Sequence, residues 1–207
     1  MTHKQNQKEV ITMKKLVNHF NAITKNTKAR PVLSQVNFNS ETQMIECTDS
    51  HRLLQVKSKQ PIEHTYNLNL TTLEMNVGIY PDLSRLVSNK GTNEFELNLS
   101  KLTKEHVKLL KAYKKEIIHL SMDNTKMIFK TDNATNNLLF EIETNTPTTI
   151  NDFSMYFNPI YLFDCLSFLL ETEKSNITLY YGNNVRPLLF SVANEFNYII
   201  TPIRKNN

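Results

Sequence analysis

Two periodicities divide the chain. Apolar and polar positions alternate, as in strands with one face on a core, at 30–38, 44–48 and 51–57, and then at 94–99, 117–122, 127–130 and 138–143. The same alternation returns at 153–157, 177–181, 188–192 and 198–203. Helical spacing of three and four appears at Leu102, Val107, Leu109, Leu110 and Tyr113, and again from about Pro159 to Leu170. Ser100 precedes the first of these helices; Asn158 can cap the second, and Pro159 suits a first helical turn. Near the start, Ile11, Leu16, Val17 and Phe20 predict a strand running into a short helix. Asn39-Ser40 reads as a hairpin turn between two alternating runs. Residues 61–89 are less regular, with strand-like pieces rich in Asn and Thr, and "YPDLSRLV" at 80–87 reads as a linker. Strands wrapped around two helices predict an α+β fold.

Composition then removes several classes of function. The 207 residues are long enough to bury a real core, and 40% hydrophobic against 21% charged residues fits a globular chain. No apolar run approaches the roughly 20 residues that span a bilayer, and the polar first nine residues lack a signal-peptide core, so a cytoplasmic location away from membranes is expected. Three glycines leave no Gly-rich phosphate cradle. Cys47 and Cys165 are isolated, which gives neither a disulfide framework nor metal-ligand spacing; no metal and no cofactor is expected.

Candidate chemistry concentrates in "ECTDSHRLLQVK" (46–57), where a thiol, a carboxylate, a hydroxyl, an imidazole and a guanidinium lie within seven residues. A Cys-His nucleophile needs its partners in contact and oriented by a third group, which a strand and turn do not ensure. Thr48-Asp49-Ser50 reads better as a turn whose side chains bond the backbone, so no catalytic residue and no enzymatic activity are expected. The net charge of +4 adds little by itself. Lys101, Lys104, Lys108, Lys111 and Lys115, however, recur on one predicted helix face, as a solvated surface or as a row facing DNA phosphates.

Three separated phrases carry a resemblance. "ARPVLSQVNFNSETQMIECTDSHRLLQVKSK" (29–59), "YPDLSRLV" (80–87), and "FNPIYLFDCLSFL" with "RPLLFSVANEFNYIITPIR" (157–169 and 186–204) are similar, in order, to the bacterial DNA polymerase III beta subunit, the replicative sliding clamp. The resemblance implies a DNA-clamp-like fold with outer sheets and inner helices. It also implies a truncated form, of the kind a phage or mobile element would carry, with a shortened middle-domain-like unit plus linker at 1–90 and a complete final domain at 91–207. A pocket for the clamp-binding motifs of polymerases, loaders or their phage equivalents is then expected at Leu33, Thr48, Ser50, His51, Arg52, Leu53, Pro81, Arg85, Leu86, Pro187, Ile199, Ile200, Thr201, Pro202, Ile203 and Arg204. In that reading the aliphatic residues form an apolar cleft, and His51, Arg52, Arg85 and Arg204 stand as donors at its rim. Cys47 is expected to be buried and inert. The implied function is a replication accessory protein that binds clamp-binding motifs, with duplex DNA a possible further partner and a homo-oligomer, a monomer or an open assembly all compatible with the sequence; the alternative is a decoy or modulator that binds replication factors or a repressor without encircling DNA.

Overall fold

In the computed structural model, residues 11–25, 27, 30–123, 125–145 and 153–205 are described. Thr12 caps the first helix, α1 (Met13–Thr24), by accepting from the Lys15 amide at 3.5 Å. Leu16, Phe20 and Ile23, at helical spacing, form its buried face. The helix therefore runs longer than the apolar pattern suggested, and Ile11 lies in no strand; residues 9 and 10 of that expected strand lie outside the described residues. Pro31 lacks an amide donor and opens a 3-10 turn, Pro31–Ser34, in place of the strand expected from residue 30.

Strands β1 (Val36–Asn39), β2 (Met44–Thr48) and β3 (Arg52–Lys57) follow as an antiparallel meander. Asn39 organises the first turn by accepting from the Glu41 and Thr42 amides. Short β4 (Tyr66–Leu68) and β5 (Met75–Asn76) extend the sheet beyond β1. The stretch expected to be a linker contains a five-residue helix, α2 (Ser84–Ser88).

Beyond it come two β-α-β-β-β repeats. The first is β6 (Asn93–Asn98), α3 (Lys104–Ala112), β7 (Ile118–Asp123), β8 (Lys126–Thr131) and β9 (Leu138–Thr144). The second is β10 (Ser154–Phe157), α4 (Pro159–Glu171), β11 (Asn176–Tyr181), β12 (Leu188–Val192) and β13 (Phe196–Ile200). Helix α3 is capped by Thr103 rather than Ser100, with His106 closing a capping box. At α4, Asn158 accepts from the Ile160 amide at 2.9 Å, and Pro159 occupies the first turn as expected.

Each repeat lends its first strand to the other. β6 lies between β9 and β11, and β10 lies beside β7, where its other edge meets Ile203 through a bridge to Tyr156. The sheet order is β10-β7-β8-β9-β6-β11-β12-β13-β3-β2-β1-β4-β5, so the pairing of β13 with β3 joins the two halves of the chain edge to edge. A shared apolar core packs α1, α3 and α4 against this sheet. Phe129, Phe157, Phe168, Phe190 and Tyr198 are fully buried in it, and truncation of any of these phenylalanines to Ala removes about 3–5 kcal/mol.

Candidate functional site

The two faces of the β12-β13-β3 strip carry different residues because side chains alternate along a strand. Leu188, Ile200 and Leu54 point into the helix-side core; Leu189, Ile199 and Leu53 point the other way. On that second face Leu83 packs on the three aliphatics, flanked by Tyr80, Val87 and Tyr180. Beside this cluster is a cleft of about 140 Å³ lined by Arg85, Leu86, Asn89, Lys90, Arg186, Pro187, Leu189 and Ile199. That volume is below the roughly 300–1,000 Å³ of small-molecule sites and suits one or two anchoring side chains.

Polar groups hold the 77–92 segment over this face. The Tyr80 hydroxyl accepts from the Thr48 amide at 3.2 Å and donates to the Gln35 carbonyl at 3.4 Å; burial pushes its pKa well above the usual phenol range. Asn67 donates to the Gly78 carbonyl at 2.7 Å, and Asp82 accepts from the amide and hydroxyl of Ser84. Further along the same face, Ser191, Asn197, Gln55 and Glu46 form a chain of side-chain hydrogen bonds across four strands. Burial raises the Glu46 carboxyl while the bonds from Gln55 and Asn39 oppose it.

The 48–52 turn is built as its side chains predict. Asp49 Oδ1 accepts from the His51 and Arg52 amides, and the Thr48 hydroxyl donates to the Arg52 carbonyl at 2.6 Å. Ser50 takes φ 77°, a strained value for a residue with a Cβ, and its hydroxyl accepts from Arg30. Cys47 is fully buried, as expected, and burial pushes its thiol pKa well up.

Arg52 departs from the expected rim position. It is 3% exposed, pairs with Asp49 and Asp164, donates to the Ala22 carbonyl at 3.2 Å and stacks 4.6 Å from the Tyr161 ring centre. Burial works against its charge, but Tyr198, Asp49 and Asp164 outweigh that and hold its pKa above the ordinary value. The guanidinium thus ties β3 to the end of α1 and to α4. Ile200 is likewise absent from the cleft, because its place in the alternation sends it into the helix-side core. Ile203 is drawn to the edge of β10, where its amide donates to Tyr156 at 2.6 Å.

Of the other expected residues, Leu33 is buried in the 3-10 turn before β1. His51 is exposed and stacks on Tyr161, its carbonyl accepting from the Thr201 amide. Pro81 and Arg204 are exposed, and Thr201 and Pro202 half-buried. The residues brought together are Leu53, Arg85, Leu86, Pro187 and Ile199. Asn89, Lys90, Arg186 and Leu189 join them unanticipated. Their only sequence signal was position, since Asn89 and Lys90 follow "YPDLSRLV" closely and Arg186 and Leu189 lie within the 186–204 phrase.

At the level of sequence, no family model and no curated protein matches the chain. Solved structures do. The sliding clamp of Bacillus subtilis superposes with a TM-score of 0.66 at 20% identity, covering 95% of this chain and 64% of that one. The Helicobacter pylori beta clamp bound to a DNA ligase peptide gives 0.67 at 15% identity, covering 92% and 63%. The DNA polymerase III beta chain of Streptococcus pneumoniae gives 0.68 at 18%, covering 99% and 69%. This is the fold of a bacterial DNA sliding clamp. The chain spans less than two thirds of the length of the first two clamps and 69% of the third.

On this clamp fold the lysine row is shorter than its spacing suggested. Lys104, Lys108 and Lys111 lie on α3 and are exposed, whereas Lys101 precedes the helix and Lys115 follows it. Lys101 pairs with Glu143 at 2.7 Å, and Lys111 lies 5.4 Å from the Phe163 ring centre. The helix ends early because the chain turns after Ala112 to enter β7. Helix α1 adds exposed Lys14 and Lys15 to the same helical layer. Among the described residues, no helix is long and apolar enough to cross a membrane.

Proposed function

We propose that this chain is a non-catalytic accessory protein of DNA replication that captures clamp-binding peptide motifs of replication proteins in the Leu86–Ile199 cleft and contacts duplex DNA through its helical layer. The observation that carries the reading is convergence. Arg85, Leu86, Pro187 and Ile199, scattered through the sequence phrases that resemble a sliding clamp, meet at one small cleft on a clamp fold, with Leu53 in the buried cluster beside it. A Helicobacter pylori clamp of that fold is known with a DNA ligase peptide bound, which supports a peptide as the occupant here. An extended segment anchored by a few apolar side chains suits a cleft of this size. Thr48, Tyr80 and Leu83 support the cleft from below, while Arg52 acts on it only through the fold.

Titration with a Gln-Leu-x-Leu-Phe-type peptide tests the reading directly. Leu86, 48% exposed at the cleft, can be changed to Glu with little cost to folding; Leu86→Glu should weaken binding at least tenfold. Equal binding by the variant, or no saturable binding by the parent protein, would discard the peptide site.

For DNA, exposed lysines on α3 and α1 support phosphate contact. The triple change Lys104→Ala, Lys108→Ala and Lys111→Ala should reduce the salt slope of binding by about two to three. Mass in solution, measured with retention on circular against linearised DNA, tests assembly of several copies into a ring. Peptide binding by a monomer that neither form of DNA retains would favour the modulator reading.

A further inference from the structure

The cleft's rim is more selective than its floor. Its floor is Leu86, Pro187, Leu189 and Ile199, and its charged lining is Arg85, Lys90 and Arg186. Four lysines elsewhere have carboxylate partners, Lys101 with Glu143, Lys126 with Glu141, Lys174 with Glu195 and Lys205 with Asp132, whereas the lysines of α3 have none among the described residues. None of the three cleft cations makes an ion pair among the described residues. Asp82 feels the charge of Arg85 without pairing with it, and its Oδ1 accepts from the amide and hydroxyl of Ser84.

The cations are brought together by backbone packing. Gly91 lies directly on the Tyr181–Gly182 backbone, where a Cβ on it would come within 1.9 Å of the Tyr181 carbonyl carbon. This close approach sets Lys90, one residue before Gly91, against the loop that carries Arg186. Lys90 Nζ lies 3.8 Å from the centre of the Tyr180 ring, which steers the ammonium to the cleft. In the opposing loop, Asn183 Oδ1 accepts from the Val185 and Arg186 amides, each at 3.1 Å, fixing the backbone from which Arg186 projects.

We infer that the cleft selects a peptide whose apolar anchor is flanked by carboxylates, with Lys90 and Arg186 as the specificity-determining residues beside Arg85. The inference rests on the peptide reading above and adds a partner chemistry to it. A bare phosphate backbone fits less well, because the cations surround an apolar floor that nucleic acid would leave unfilled. Charges at such a rim act on association rate and salt dependence more than on the anchor itself.

The test compares two peptides with the same apolar anchor, one flanked by Asp and Glu and the other by Ser and Gln, by calorimetry at low and high salt. The acidic peptide should bind roughly tenfold tighter at low salt, and the advantage should fade at about 0.5 M. In a Lys90→Gln, Arg186→Gln protein with unchanged thermal melting, the two peptides should bind alike. Equal affinities for the parent protein would overturn the inference and leave the peptide site standing. Absence of saturable binding by both peptides would remove the site and the inference together. Loss of duplex-oligonucleotide binding in the double variant, with peptide preference retained, would reassign the cations to DNA.

Discussion

Residues 93–205 and residues 11–76 solve the same packing problem to different extents. In the later region two β-α-β-β-β repeats exchange first strands, so most strand edges find partners within the region. The earlier region supplies one helix of comparable length and a sheet that dwindles to the two-residue β5. Beside it opens a cleft of about 960 Å³, lined in part by Ile11, Met13, Phe38, Tyr66, Met75 and Val77. Met75 is 63% exposed and Val77 88%. The earlier region therefore depends on its neighbour for burial, through the β13-β3 pairing, the shared core and the Arg52 cluster.

Removing Arg52 should break that dependence most severely. Arg52→Ala leaves Asp49 and Asp164, both largely but not fully covered, without their shared cation and should cost about 3–5 kcal/mol in urea unfolding. A loss below about 1 kcal/mol would mean that the apolar core alone couples the regions. Gly91→Ala is next. It forces the 90–92 backbone away from Tyr181–Gly182 and should cost about 1–3 kcal/mol, with peptide affinity falling as the cleft wall moves.

Acid probes the contact between α1 and α4. His19 lies against Phe168 and 3.3 Å from Glu171; burial lowers its pKa despite the pull of that carboxylate. The unfolded chain therefore takes up a proton near pH 6.5 before the folded one does, so stability falls as pH drops through that value. Denaturant melts from pH 8 to pH 5 should show this fall, and His19→Phe should flatten it. The smallest effect belongs to the exposed end of the earlier region. Met75→Ser with Val77→Ser should change stability by less than about 0.5 kcal/mol, because those side chains leave little water behind on folding.

The 48–52 turn was legible because its interactions are local: Asp49 and Thr48 bond amides and a carbonyl two to four residues away. The same holds for the Asn158-Pro159 start of α4, and most strands of the later region fall where alternation predicts them. The 3-10 turn at Pro31 and the early end of α3 escaped the pattern, since apolar spacing does not register where a chain must change direction.

By itself the sequence determined the α+β class and the strand pattern, which rest on periodicity, and it carried the phrases that resemble a clamp. Tertiary structure decided what those residues face. It turned Arg52 inward, because Asp164 lies more than a hundred positions away and no local pattern announces it. It parted Ile199 from Ile200 across the sheet, because the β13-β3 register sets which face meets the helices. It also brought Lys90 to Arg186, because two glycines let backbones distant in sequence touch.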